Sequence, residues 1–228
     1  GGGAGAVPRA LRRLDYALDG VGNRRQATET SANAGARTTA FSVNAVNEYG
    51  AIGQTPLAYS NNGNLRDDGQ RLYAYDYRNR LVSVARKSDG APIAEYLYDA
   101  DNRRRQKTIF NLAARGQVLA QSRYFYDRWQ VCEEQNASGT TELTFAYAPG
   151  YIDDLVQMER ASGHALGAGS FYFHQNARHD VIALTDVNGQ LVEKTFYDDF
   201  GRSYDEAKQE TQLSSVGNPY GFQGGRLD

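Results

Sequence analysis

The chain has 228 residues, with 25 Lys and Arg against 27 Asp and Glu and a formal net charge of -2, so it lacks the basic footprint by which proteins hold nucleic acid or anionic membranes. No run in it approaches the roughly 18 apolar residues of a membrane-spanning helix. The 24 Gly, 16 Tyr and 9 Phe against one Trp and one Met favour turns joining aromatic-rich strands, and the expected class is all-β.

In chain order, residues 1–17 read as a flexible N-terminal tail that opens on Gly and Ala and lacks the charged and apolar regions of a signal peptide. With no Met at its start, the sequence reads as a fragment. In Leu18-Asp19-Gly20-Val21-Gly22-Asn23-Arg24, Asp19 can accept from nearby backbone N–H groups and Gly22 can take positive φ, which predicts a turn. Residues 27–39 are rich in Ala, Thr, Ser, Asn and Gly without apolar periodicity, and read as a loop or an exposed strand pair.

From Phe41 onward this turn recurs. Its best-formed copy is Phe196-Tyr197-Asp198-Asp199-Phe200-Gly201-Arg202: a strand end, a Tyr-Asp pair, and a residue tolerant of positive φ four places after the Tyr. Other copies start at Tyr59 (Gly63 in the left-handed place), Tyr75-Asp76 (Asn79) and Tyr98-Asp99 (Asn102). Looser ones start at Tyr126-Asp127, Tyr147 and Tyr172 (Asn176). These tyrosines stand 16 to 28 residues apart, and such self-similarity signals a repeat architecture.

Between them lie further turn signals, Asp68-Gly69, Asp89-Gly90, Arg115-Gly116, Ser138-Gly139, Ser162-Gly163 and Asn188-Gly189, of which the Asp-Gly and Asn-Gly pairs read as type I′ hairpin turns. Each repeat is then two strands, roughly fourteen in all. Period-2 alternation places Leu143, Phe145 and Tyr147 on one strand face, and Tyr73, Tyr75 and Tyr77 on another. A two-strand unit cannot bury its apolar face alone, so the hairpins are expected to zip into one long twisted sheet, a spiral or a partial barrel or shell.

Two later stretches complete the pattern. One runs His174-Gln175-Asn176-Ala177-Arg178-His179-Asp180-Val181-Ile182-Ala183-Leu184-Thr185-Asp186-Val187-Asn188-Gly189 and leads to Tyr197-Asp198; the other is Asn218-Pro219-Tyr220-Gly221-Phe222-Gln223-Gly224. With the Tyr-Asp turns, they resemble the Rhs, or YD-repeat, family. The resemblance divides the chain into a YD-repeat region over 18–170 and the start of the Rhs-associated core region over 171–228. It implies a strip of β-hairpins spiralling into a hollow shell, which in bacterial members encloses a C-terminal toxin domain, and a secreted or cell-surface location. Family cores continue into an aspartate-containing self-cleavage motif and a variable effector. Neither occurs in this sequence, so neither activity carries over. Asn176-Ala177-Arg178 also departs from the family's Leu-Gly-Ser-like turn.

Side chains with chemical potential have simpler readings. His174 and His179, with Asp180, are five apart, which on a strand puts the imidazoles on opposite faces and argues against a shared metal. His164 follows a Ser-Gly turn and is expected exposed; residues 163–169 are Gly-rich but lack the Lys-Ser/Thr ending of a phosphate loop, and read as a mobile hairpin end. Adjacent carboxylates, as in Asp153-Asp154 and Asp198-Asp199, point to opposite faces of a strand and cannot flank one sugar. Cys132 reads as a small buried hydrophobe and Arg103-Arg104-Arg105 as a solvated strand end. No Gly-x-Ser-x-Gly nucleophile elbow is present.

The sequence therefore reads as a non-enzymatic shell or scaffold module with no cofactor and no catalytic or metal site. Its functional residues are the repeat turns. Its expected partners are the rest of a longer Rhs-type polypeptide, that polypeptide's toxin or effector segment, and further copies paired through sheet edges, with no nucleic acid. The alternatives are glycan binding through outward Tyr and Trp129 faces, and a hydrolase or self-acting peptidase built on clustered Asp.

Overall fold

The computed structural model describes residues 12–31, 35–205, 210–211 and 214–227. Its strands fall into antiparallel sheets in which neighbours in the chain are neighbours in the sheet. A five-stranded sheet holds β1 (Arg12–Leu18), β2 (Arg24–Ser31), β3 (Gly35–Val43), β4 (Tyr49–Ile52) and β5 (Thr55–Pro56). A thirteen-stranded sheet begins with β6 (Ala58–Tyr59), β7 (Leu65–Asp67), β8 (Arg71–Tyr75), β9 (Leu81–Arg86), β10 (Pro92–Tyr98), β11 (Arg104–Phe110) and β12 (Val118–Asp127). It continues with β13 (Gln130–Gln135), β14 (Thr141–Tyr147), β15 (Leu155–Arg160), β16 (Gly169–Gln175), β17 (Val181–Thr185) and β18 (Leu191–Lys194). A two-stranded sheet pairs β19 (Phe196–Tyr197) with β20 (Ser203–Tyr204).

The all-β class holds, with corrections of detail. Residues 12–17, assigned to the tail, lie in β1, and residues 1–11 fall outside the described residues. Residues 27–39 are strands: Thr28 and Thr38 face each other across β2 and β3 with their hydroxyls 3.0 Å apart. The expected boundary between 170 and 171 falls inside β16. Strands outnumber the expected fourteen because short pieces such as β5 and β6 count separately. Tyr77 does not share a strand face with Tyr73 and Tyr75: β8 ends at Tyr75, and Tyr77 projects from the following turn with 84% exposure.

The chain forms two compact units, one of residues 1–94 with 112–116, the other of residues 95–111 with 117–228. In the first, no described residue before Val84 is buried. Its aromatics pack locally: the Arg24 guanidinium lies 4.9 Å from the Phe41 ring centroid, and Phe41 and Tyr49 are 5.5 Å apart.

The second unit has a continuous core, produced by the alternation of apolar side chains. Phe145 pairs with Met158, Met158 with Phe171, and Phe173 with Leu184, so successive strands place large side chains in register on one face. Met158 and Leu184 are wholly buried. The ladder slips by one residue beside many repeat turns, as at Ala74/Tyr75, Phe125/Tyr126, Ala146/Tyr147 and His174/Gln175. Such bulges increase strand twist, which lets a long sheet curve.

Candidate functional site

Among the described residues nine turns share one hydrogen-bond pattern, starting at Asp19, Asn44, Ser60, Asp76, Asp99, Asn136, Asn176, Asp186 and Asp198. The first residue's side-chain oxygen accepts from the backbone N–H groups two and four places on. Its backbone oxygen accepts from the third N–H, and its own N–H donates to the carbonyl four places on. The residue three places on has positive φ: Gly22, Asn47, Gly63, Asn79, Asn102, Gly139, His179, Gly189 and Gly201. The turn thus needs a short side chain with an acceptor oxygen and, three places later, a residue able to stand in the left-handed region.

Most expected turn residues take these roles, but three frames differ. The copy starting at Tyr147 is a longer loop, closed by the Ala148 N–H on the Asp154 carbonyl. Asn176 is not the left-handed residue of a turn beginning at Tyr172, which sits within β16. Asn176 is the acceptor of a turn whose left-handed residue is His179. Asp127 ends β12 and pairs with Gln130 across a two-residue turn of Arg128 (φ 54) and Trp129. The Asp68-Gly69, Asp89-Gly90 and Asn188-Gly189 turns are not type I′ either: only the glycine of each pair has positive φ, and Gly189, like Gly139, belongs to the five-residue turn.

Four tyrosine hydroxyls tie their strands to an earlier one. Tyr126 donates to the Arg104 carbonyl at 2.7 Å, Tyr147 to that of Val131 at 3.1 Å, and Tyr197 to that of Val181 at 2.8 Å. The Tyr49 hydroxyl accepts from the Arg24 N–H at 3.0 Å. Burial pushes the Tyr126 phenol up to about 12 and raises those of Tyr147 and Tyr197 further. Side chains link neighbouring turns as well. Asn62 and Asn64 both donate to the Asn79 amide oxygen, and Arg103, paired with Asp99 at 2.7 Å, donates to the Arg128 carbonyl.

Residues 214–227 fold over the core of the second unit. Asn218 holds Tyr220 by two bonds, its amide donating to the Tyr220 carbonyl and accepting the Tyr220 N–H. Tyr220 meets Phe145 and Phe173 edge-on, and its hydroxyl is 2.8 Å from that of Tyr147. The Gln223 N–H donates to the fully buried Asp180 at 2.9 Å. Burial works against the Asp180 charge, but bonds from Asn176 and Gln223 and the nearby Arg178 outweigh it and hold the carboxyl below its ordinary range. Arg226 reaches Glu134 and stacks over Tyr124, Phe145 and Tyr220. Burial disfavours its charge, yet Glu134 and the phenols raise its pKa.

The remaining candidates are separated. His174 is 3.0 Å from the Thr185 hydroxyl; His179 is 3.0 Å from Asp154 and stacked on Tyr151. Among the described residues no group of three His, Cys, Asp or Glu is arranged to hold a metal. His164 is half-buried rather than exposed, its Nδ1 accepting the Leu166 N–H. Cys132 is half-buried rather than buried. Asp198 serves its turn, while Asp153 lines a cavity of about 430 Å³ together with Trp129. Arg104 is not solvated as expected but stacks over Tyr96 and Tyr124. The acceptors Asn44, Ser60 and Asn136 and the anchors Glu134 and Arg226 escaped the sequence reading.

Hairpins repeated in chain order, with lashed turns and one aromatic face covered by the chain's own C-terminal stretch, define a repeat-built β-shell protein. The chain belongs to the Teneurin YD-shell family, which matches residues 10–228. It is 28% identical over 215 residues to the tRNA3(Ser)-specific nuclease WapA of Bacillus spizizenii, covering 94% of this chain and 8% of that protein. It is 26% identical over 181 residues to Teneurin-3 of Danio rerio, covering 78% of this chain and 6% of that protein. Among solved structures it resembles the TcdB2-TccC3 complex, with a TM-score of 0.63 at 17% identity over 93% of this chain and 11% of that one. The same complex with Cdc42 also gives 0.63, at 19% identity. The fold is therefore the Rhs-type shell fold, and the chain spans under a tenth of the curated relatives it matches. No helix of the described residues is long and apolar enough to cross a membrane.

Proposed function

We propose that this chain is one section of the wall of a secreted or surface-exposed bacterial shell, which contains or presents a toxin segment of a longer polypeptide and does no chemistry itself. The observation that carries this reading is the use of the polar groups at the turns. The oxygens that could act on a substrate are spent on backbone N–H groups, and the tyrosine hydroxyls on carbonyls of earlier strands, which makes a stiff wall. The edge strands β6 and β18 of the long sheet are the places where the preceding and following parts of such a wall, or a further copy, would add by strand pairing. The nuclease in the names of the WapA relatives belongs to proteins of which this chain matches 8%, and is not assigned to this section.

Electron microscopy of the native polypeptide that carries this chain, combined with limited proteolysis, tests the reading. A closed or spiral wall around a protease-protected segment is expected. An isolated domain with no protected segment would end it, as would RNA cleavage by the purified chain.

A further inference from the structure

Two groups that recognise organic cations, the Trp129 indole and the Asp153 carboxylate, line the same cavity of the second unit. The Trp129 indole stands 62% exposed in the turn between β12 and β13. The Asp153 carboxylate accepts no hydrogen bond from a described residue, although its backbone is firmly held: the Gln175 amide donates to the Asp153 carbonyl at 2.9 Å and accepts the Leu155 N–H at 2.9 Å. Gln130 donates to the Ile152 carbonyl at 2.9 Å, which ties the loop carrying Asp153 to the turn carrying Trp129. Gly224 backs the carboxylate so closely that an added Cβ would lie 2.7 Å from the Asp153 Cβ.

We propose that the Trp129–Asp153 end of this cavity binds the cationic side chain of a basic peptide segment, with Asp153 pairing its charge and the indole covering it. Trp is the ring that attracts a cation best, and a half-buried carboxylate gains most from a cation that replaces lost water. The chain uses this arrangement elsewhere: the Arg103 guanidinium pairs with Asp99 and lies 5.2 Å from the Tyr126 ring centroid. Arg104 and Arg226 line the same cavity but are spread over aromatic rings, and Arg226 is paired with Glu134, so an anion finds its cations engaged. Burial raises the Asp153 carboxyl above its ordinary range, with Asp154 adding to the rise and nearby His179 opposing it.

Trp129 is the only tryptophan of the chain, so its fluorescence reports this site alone. The whole chain is titrated at low salt with N-acetyl-arginine amide and with its neutral isostere N-acetyl-citrulline amide. A saturable emission change is expected with the first, at least tenfold weaker with the second and at least tenfold weaker in Asp153→Asn. Equal responses to the two amides, no saturable response, or undiminished binding by a folded Asp153→Asn protein would overturn the proposal. If that variant does not fold, the comparison of the two amides on the unaltered chain decides alone.

Discussion

Glu134 and Arg226, 92 residues apart in sequence, form an ion pair over the core of the second unit with side chains 7% and 16% exposed. A pair so far from water gains little net energy from its mutual attraction, because both charges lose hydration. Its effect is to fix where the C-terminal stretch sits: Arg226 cannot leave Glu134 without stranding a buried charge. Glu134→Leu is therefore expected to cost about 3–5 kcal/mol in denaturant unfolding, and the double change Glu134→Leu with Arg226→Met to restore most of it. Equal losses in the single and double variants would show that packing, not the charge pair, holds the stretch.

The left-handed glycines separate backbone strain from crowding. Gly189 has φ +74 and nothing within 4 Å of an added Cβ, whereas Gly201 has φ +83 and would place its Cβ 2.7 Å from the Phe222 ring. Gly189→Ala is expected to cost about 1–2 kcal/mol from backbone strain alone. Gly201→Ala should cost about 1–3 kcal/mol more, because Phe222 must move. Matching denaturation midpoints would refute the difference.

These turns were legible because each needs two local signals, an acceptor and a left-handed residue, and Tyr-Asp followed by Gly or Asn carries both. Legibility failed where another residue met the same need. Asn44 accepts as Asp does, Asn176 is an acceptor although its type suits the left-handed place, and His179 stands at positive φ without being Gly or Asn. The Tyr-Asp frame also failed at Asp127, where a two-residue turn replaces the five-residue one. The contact of Arg226 with Glu134 had no local signal, since it depends on strands bringing distant positions together. The same holds for the tyrosine lashings, whose acceptors are backbone carbonyls with no sequence identity.

Acid should loosen the turns selectively. Asp76 is held below the ordinary carboxylate range chiefly by its bond from Arg80, Asp186 chiefly by the Gln190 N–H, and Asp99 by bonds from Arg103 that outweigh its desolvation. A depressed native pKa means the unfolded chain binds protons more readily. The contribution is therefore present above about pH 3.9 and is lost as pH falls through the native values. In Asp76→Asn, Asp99→Asn, Asp186→Asn protein the amide oxygen keeps the turn bonds without titrating, as Asn44 and Asn136 already do. The urea midpoint of that variant should fall less steeply between pH 6 and pH 3 than that of the parent. Parallel curves would show that these carboxylates do not govern acid stability.

Alkali should act through the tyrosine lashings, with the opposite sign. Burial raises the Tyr126 phenol to about 12 in the folded chain, against about 10 when unfolded. Its contribution is therefore complete below about pH 10 and disappears as pH rises towards 12, where ionisation would also remove the proton donated to the Arg104 carbonyl. Phenols open to solvent should ionise without unfolding, and the buried set, with Tyr126, only with loss of the fold, giving two phases in phenolate absorbance. Tyr126→Phe leaves the Arg104 carbonyl without this donor and is expected to cost about 1 kcal/mol at neutral pH. It should also shrink the second phase by one phenol. A single phase in which all tyrosines ionise before the β-sheet signal changes would mean that their hydroxyls do not tie the turns down.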